Sequence, residues 1–552
     1  MKYVAALALL FISVFSYGQS KKFVFKLGEE YELPKKSEDL AYYGDSANGI
    51  INLSYYKKQL TVYKFDFRSL SQKGGQEVEL NNASKNFNSE EVITIGGNCF
   101  WLHSDWDKGN KKEKLYSSQI DIKTGRAMNE NKLLFENDKV AGDLQGGGWF
   151  ASGAKTVNKY DYNYNAGNNK LLISYRYNPE IKNDKKNYDK LGFFVVDEKM
   201  NKIWSNDFTM PYTEAVMDNS DFSIDENGNA YLLAKVYNSD ARKETDKETG
   251  KPGYHYEVFK FTADGSMIHK AIESDDYYLK QPTLIENGLH EMIIATTYSK
   301  KSTKKSNGTD GVFLAKFDGK NDIVQYKKGV YEFALDELKK YESKRAKRKM
   351  DKKSDYEAPN LRIRDVIVNS DGSTIITLED YHVEVSASTY SGATGTRTTT
   401  QYTYYYDDIL VTKIAADGNV VWLRKIPKRQ KSTTTGLYDA YSRNAVFNPV
   451  TGTLGFKTFV DATGCYFLYL DNLKNMELED DDVPKYHVNG FGGQVVVTKI
   501  DDAGNMTKDL VFDTREEKIM LFPRQFKQIN KNQFIGRAKL KSSYQPLLIK
   551  VN

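Results

Sequence analysis

Cysteine, proline and histidine are scarce in this chain, with 2 Cys, 11 Pro and 6 His among 552 residues. Two cysteines exclude a disulfide scaffold and any zinc or iron–sulfur centre built on a thiolate cluster. The histidines, His103, His255, His269, His290, His382 and His487, show no pair at metal-ligand spacing, so a histidine metal site would have to be assembled from distant segments. Neither sign of charge dominates, since 79 Lys+Arg stand against 74 Asp+Glu. That balance gives no general footprint for nucleic acid. Apart from residues 4–14, no apolar run approaches the roughly 20 residues that a membrane-spanning helix needs. Gly-x-Ser-x-Gly, a Walker loop, a dinucleotide fingerprint and an Asp box are also missing, which weakens the case for an enzyme without closing it. No cofactor is implied.

What is present is a globular composition, 40% hydrophobic, behind an export leader. Lys2 supplies a positive start, residues 4–14 an apolar segment, and Ser16 and Gly18 small residues before Gln19. Residues 1–18 therefore read as a cleaved signal peptide and 19–552 as the mature domain, with the periplasm, cell surface or extracellular space as destination. Export permits a disulfide between Cys99 and Cys465. Both lie in apolar strand-like runs, which favours two buried small hydrophobes instead.

The mature chain alternates apolar and polar residues at period 2 almost throughout, interrupted by Asp/Asn/Gly turns such as 225–229, 369–373, 416–419 and 502–505. Such turns suit tight hairpins. They lack the twelve-residue loop and terminal Glu that calcium would require. One strand ending returns along the chain: Tyr63-Lys64-Phe65, Phe259-Lys260-Phe261, Ala315-Lys316-Phe317, Thr412-Lys413-Ile414, Thr498-Lys499-Ile500 and Ile549-Lys550-Val551, with weaker copies near Ile120 and Val196. Fixed strands at variable spacing predict an all-β propeller of eight four-stranded blades, or alternatively seven. The last copy leaves no residues for an outer strand. Residues 23–27 have no blade of their own, and are expected to supply it.

Second-to-third strand connections carry the insertions, at 178–190, 238–253, 299–310, 384–403 and 471–490. Alternation of strand direction places them on one face, which becomes the candidate binding face. One helical insertion, 331–358, turns basic in its second half. Lys344, Arg345, Lys347, Arg348, Lys349, Lys352 and Lys353 are opposed there by Asp351 alone. For an exported protein such a helix points to an anionic envelope component, lipid or polysaccharide, or to an acidic protein face, rather than to nucleic acid. Residues 384–406 read as a long hairpin ending in Tyr402, Tyr404, Tyr405 and Tyr406, tyrosines whose density at a loop edge suits protein or sugar contact, with edge-strand packing as the alternative. The acidic loop 477–482 is either solvated or a hard-cation ligand. Gly44-Asp45-Ser46 is shared with a lipase nucleophile segment but lacks its α/β context, so a turn is expected.

The segment 408–422, DILVTKIAADGNVVW, resembles the strand–turn–strand unit of bacterial secreted β-propellers of the seven-bladed-repeat type, and 497–505 is similar. The leader ending Tyr17-Gly18-Gln19 resembles those of exported Bacteroidota proteins, and Asp45-Ser46-Ala47 resembles their O-glycosylation acceptor. The resemblance implies architecture and export, not an activity. Two functions are expected in turn. The first is a non-enzymatic binding or scaffold propeller engaging a protein or envelope partner through its long-loop face. The alternative is a glycan-binding or glycan-cleaving propeller, favoured if three or more carboxylates converge with tyrosines in the central funnel.

Overall fold

The computed structural model describes residues 22–79, 87–138, 140–141, 159–181, 186–274, 277–301, 308–353, 355–392, 395–437, 451–488, 492–530 and 532–552. The expected signal peptide, 1–18, lies outside the described residues. The strands gather into six four-stranded sheets, two six-stranded sheets and one two-stranded ribbon. Every sheet of four or more strands contains an antiparallel meander of consecutive strands. The fourth, Met217–Ile224, Ala230–Tyr237, Tyr254–Phe261 and Met267–Ala271, shows the plan. Its first turn is closed by Gly228 at φ 81°, and Gly265, Gly372, Gly418 and Gly504 hold the same left-handed conformation in equivalent turns. A side chain there would be strained.

Packing between the sheets makes the fold a β-propeller. Apolar residues of the sheet beginning at Glu38 interlock with those of the sheet beginning at Asn88. Further apolar seams join each sheet to the next along the chain, to the one beginning at Phe456. That sheet packs on the C-terminal one, which packs back on the first. The seams thus close a ring. Its closure is covalently remote: Phe23–Leu27 pairs antiparallel with Ser543–Val551, from Phe23↔Val551 to Leu27↔Leu547, filling the outer position that the last repeat leaves vacant. Cys99 and Cys465 are free and buried in different seams.

The connections confirm that one face carries the additions. In a meander, the second-to-third connection and the exit to the next sheet leave from the same edge. Gly308–Thr309, from the first kind of connection, pairs with Ala358–Pro359, from the second. Gln430–Thr434, from an exit, pairs with Tyr402–Tyr406 at the base of the long hairpin, and Gln430 and Lys431 pair in parallel with His487–Val488. That hairpin consists of Thr374–Gly392 and Gly395–Ile414, whose inner halves belong to the sixth sheet and whose outer halves project beyond it.

The single helical insertion expected over 331–358 instead holds two helices, α1 (Leu335–Lys339) and α2 (Lys344–Asp351). Tyr341 sits at φ 62°, outside helical space, and Ser343 restarts the chain as an N-cap, its side chain accepting from the Ala346 N–H at 3.2 Å. Residues 331 and 332 still belong to the preceding strand. No helix among the described residues is long and apolar enough to cross a membrane.

Candidate functional site on the loop face

α1 and α2 lie in the exit from the fifth to the sixth sheet. Leu338, Tyr341 and Met350 are buried, anchoring the pair to the ring. Lys425, on the outer strand of the sixth sheet, donates from Nζ to the Leu338 carbonyl at 3.0 Å, and its N–H donates to Glu337 Oε1 at 2.9 Å. The basic face of α2 meets the acidic loop that the sequence places 130 residues away. Lys347 Nζ lies 2.5 Å from Asp481 Oδ1 and donates to the Asp480 carbonyl at 3.2 Å, Lys340 lies 3.5 Å from Asp480, and the Tyr341 N–H reaches the Asp480 carbonyl at 2.8 Å. Two runs of opposite sign therefore partly neutralise each other, and Lys347 is committed inside the molecule. Lys344, Arg345, Arg348 and Lys349 stay exposed.

Strand alternation turns Tyr402, Tyr404 and Tyr406 to one face and Tyr405 to the other, with Tyr402 packed at the edge of the core that the other two enter. Tyr404 and Tyr406 are 0% exposed and form a small core with Tyr381 and Leu454, which corrects the expectation that all four meet a partner. A side chain that sustains the hairpin's own packing cannot also present itself at the surface. Tyr402 and Tyr405 remain half-buried. Tyr405 stacks on His382, its cross-strand neighbour, at 4.5 Å and 7°, and donates to Glu384 Oε2 at 3.0 Å.

Beneath this ledge lies a charged cluster that sequence reading missed. Glu342 and Asp408 face Lys425 and Arg429 in a closed square of ion pairs between 2.8 and 3.1 Å. Behind it Lys428, with no side-chain exposure, bonds Glu379 at 2.8 Å, and Arg364 bonds the same carboxylate at 2.8 Å. Burial would raise the Glu379 carboxyl, but Lys428 and Arg364 hold it below the ordinary range. Asp407 is the opposite case. Burial pushes its carboxyl up to about 7, Arg429 only partly countering, while Asp380 and Asp408 add to the rise. Its Oδ2 accepts from Tyr486 at 3.2 Å, and Oδ1 is sealed from solvent without a hydrogen-bond partner. Asp380, 3.6 Å from His382, raises that imidazole above its ordinary value. The legible signal was Asp407-Asp408, two carboxylates at the threshold of the apolar strand run 409–411. Arg429, Tyr486 and Asp380 arrive from separate segments that no spacing rule connects.

The other candidates resolve locally. Asp45 accepts from the N–H groups of Ala47 and Asn48 at 2.8 and 2.7 Å, so Gly44-Asp45-Ser46 is a turn. The Asp/Asn/Gly turns spend their carboxylates in the same way, as when Asp501 accepts from the backbone and side chain of Asn505 at 2.8 and 2.9 Å. His255 and His269 both bond Glu257, at 2.9 and 2.8 Å. On the opposite face Glu226, Glu286 and His290 form a trio with ligand atoms within 4.8 Å of one another. Glu286 is there engaged by the N–H groups of Glu226 and Ala166, at 2.5 and 2.6 Å, and acts as a staple across neighbouring sheets.

No family model and no curated protein matches the chain. Among solved structures it is similar to the polysaccharide lyase Uly1 at 9% identity and TM-score 0.37, over 96% of this chain and 99% of that one. A likeness to the periplasmic gluconolactonase of Pseudomonas aeruginosa has 13% identity and TM-score 0.32, over 80% and 93%. An ulvan lyase structure is similar at 11% identity and TM-score 0.35, over 82% and 90%.

Proposed function

We propose that the protein is an exported propeller that binds an acidic glycan across its loop face. The carrying observation is the convergence of Asp380, Asp407 and Asp408 with Tyr405, Tyr486 and His382, beside the exposed cations of α2. A half-buried tyrosine stacked on an imidazole offers a flat platform to a sugar ring, Asp380, which keeps some exposure, accepts from its hydroxyls, and Lys344, Arg345, Arg348 and Lys349 complement its negative groups. Binding is favoured over cleavage because a general acid must reach its substrate, and Asp407 Oδ1 is closed off from solvent.

A glycan array comparing sulfated or uronate-rich chains with neutral ones tests the reading. Retention of the acidic chains, lost on Tyr405→Ala and weakened as salt shortens the Debye length from about 10 Å at 0.1 M to about 3 Å at 1 M, is the expected result. A blank array, or equal retention of neutral chains, overturns it. Release of shorter fragments from a retained chain would move the protein to a glycan-cleaving class.

A second reading, a scaffold for a protein partner, rests on the projecting hairpin. Residues 384–389 are exposed, and the outer edge of residues 383–392 has no strand partner among the described residues. Pull-down of the mature protein from an envelope fraction, before and after trimming 384–403, separates it from the glycan reading: a protein captured only by the untrimmed chain supports it.

A further inference from the structure

Between α2 and the sixth sheet lies a cavity of about 680 Å³, well within the 300–1,000 Å³ range of small-molecule sites. Its walls are mostly apolar. Leu338, Met350, Leu361 and Leu410 line it, with Ala358 and Tyr356. Of the charges at its floor, Glu342 and Asp408 are both paired with Lys425 and Arg429, and Asp380 lies 3.6 Å from His382. Its rim is different. Lys349, Lys352 and Lys353 are exposed and make no ion pair among the described residues.

Three unmatched cations over an apolar slot define a ligand with one negative end and one greasy end. A free inorganic anion would leave the apolar walls wet, and a soluble glycan would not fill them. A neutral hydrocarbon would leave the lysines without a counter-charge. We propose that this groove binds a single-chain anionic amphiphile, the acyl chain along the apolar wall and the acid group at the lysine rim. The proposal goes beyond the glycan reading, with which it shares the floor residues and Lys349.

Titration with dodecanoate below its micellar concentration, followed by calorimetry, tests it on the full mature chain. Saturable one-to-one binding is expected, weakened at least about tenfold in Lys349→Gln/Lys352→Gln/Lys353→Gln and weakened by salt. Ala346→Trp, on the half-buried wall of α2, should block the groove. Its thermal midpoint reports whether it folds, and the surface lysine variant supplies the test if it does not. Dodecyltrimethylammonium, with the same chain and opposite head, should bind far more weakly. No dodecanoate binding by a folded protein, equal binding of the cationic amphiphile, or unchanged binding in a folded Ala346→Trp overturns the proposal. Tyr405→Ala separates the two sites, since it should abolish glycan retention and leave dodecanoate binding intact.

Discussion

The plain arc of the ring and its decorated arc are built from the same meander. In the first and second sheets the second-to-third connections are tight, Tyr56 to Gln59 and Asp107 to Lys112, and in the last sheet Leu540 to Ser543. In the third to seventh sheets the same position carries long insertions, with α1 and α2 added in the exit beside them. Both arcs bury similar apolar seams. The contrast teaches that strands are constrained by the neighbour they pack on, while connections on one face are free to diverge. In the decorated arc that freedom has been used to gather buried charge, Lys428, Glu379, Arg364 and Asp407, beneath the long hairpin, whereas the plain arc buries the Arg537–Asp39 pair between its last and first sheets.

The contrast can be broken most sharply in the plain arc. Trp101 is 0% exposed in the seam between the first two sheets, so Trp101→Ala should cost about 3–5 kcal/mol, read as a fall in the urea midpoint. In the decorated arc Lys428→Met leaves Glu379 buried with only Arg364 to balance it, and a loss of about 3 kcal/mol is expected by the same measurement. A change below about 0.5 kcal/mol, the range of an ordinary surface substitution, would show that the buried charges are tolerated in the manner of surface ones.

Acidity separates the arcs next. The Asp407 carboxyl sits near 7 in the folded chain and near its ordinary value when unfolded. Between about pH 4 and about pH 7 the native state therefore holds a proton that the unfolded state has lost, and stability falls as pH rises, by at most about 1.4 kcal/mol per unit. Asp407→Asn should flatten that slope in urea titrations across the window, and a slope unchanged by the substitution would assign it to other groups.

The smallest effects belong to the exposed additions and the thiols. Replacing 386–401 by a tight turn should leave the thermal midpoint nearly unchanged, because residues 386–389 are exposed on an arm outside the seams. A large drop would show that the arm supports the ring. Burial pushes Cys99 and Cys465 both up to about 12. Neither should react with a thiol reagent in the native protein, and both should react on unfolding.

Period-2 patterning, the recurrent strand ending and the unfilled final repeat determined the propeller and its closure by residues 23–27, because each strand must bury a face against its neighbours wherever the chain leads. The position of the insertions determined the elaborated face. The sequence also announced a basic run and an acidic run, but not that Lys347 meets Asp481, since charges in separate loops carry no mark of their distance in space. Nor did the packing that buries Tyr404 and Tyr406 while leaving Tyr402 and Tyr405 half-buried announce itself: a row of tyrosines looks alike until its strand has neighbours. Asp380, Asp407, Arg429 and Tyr486 became a site only when the hairpin, the exit strand and the last long connection folded together. Their chemistry is set by burial and by one another's fields, and both are properties of the assembled ring.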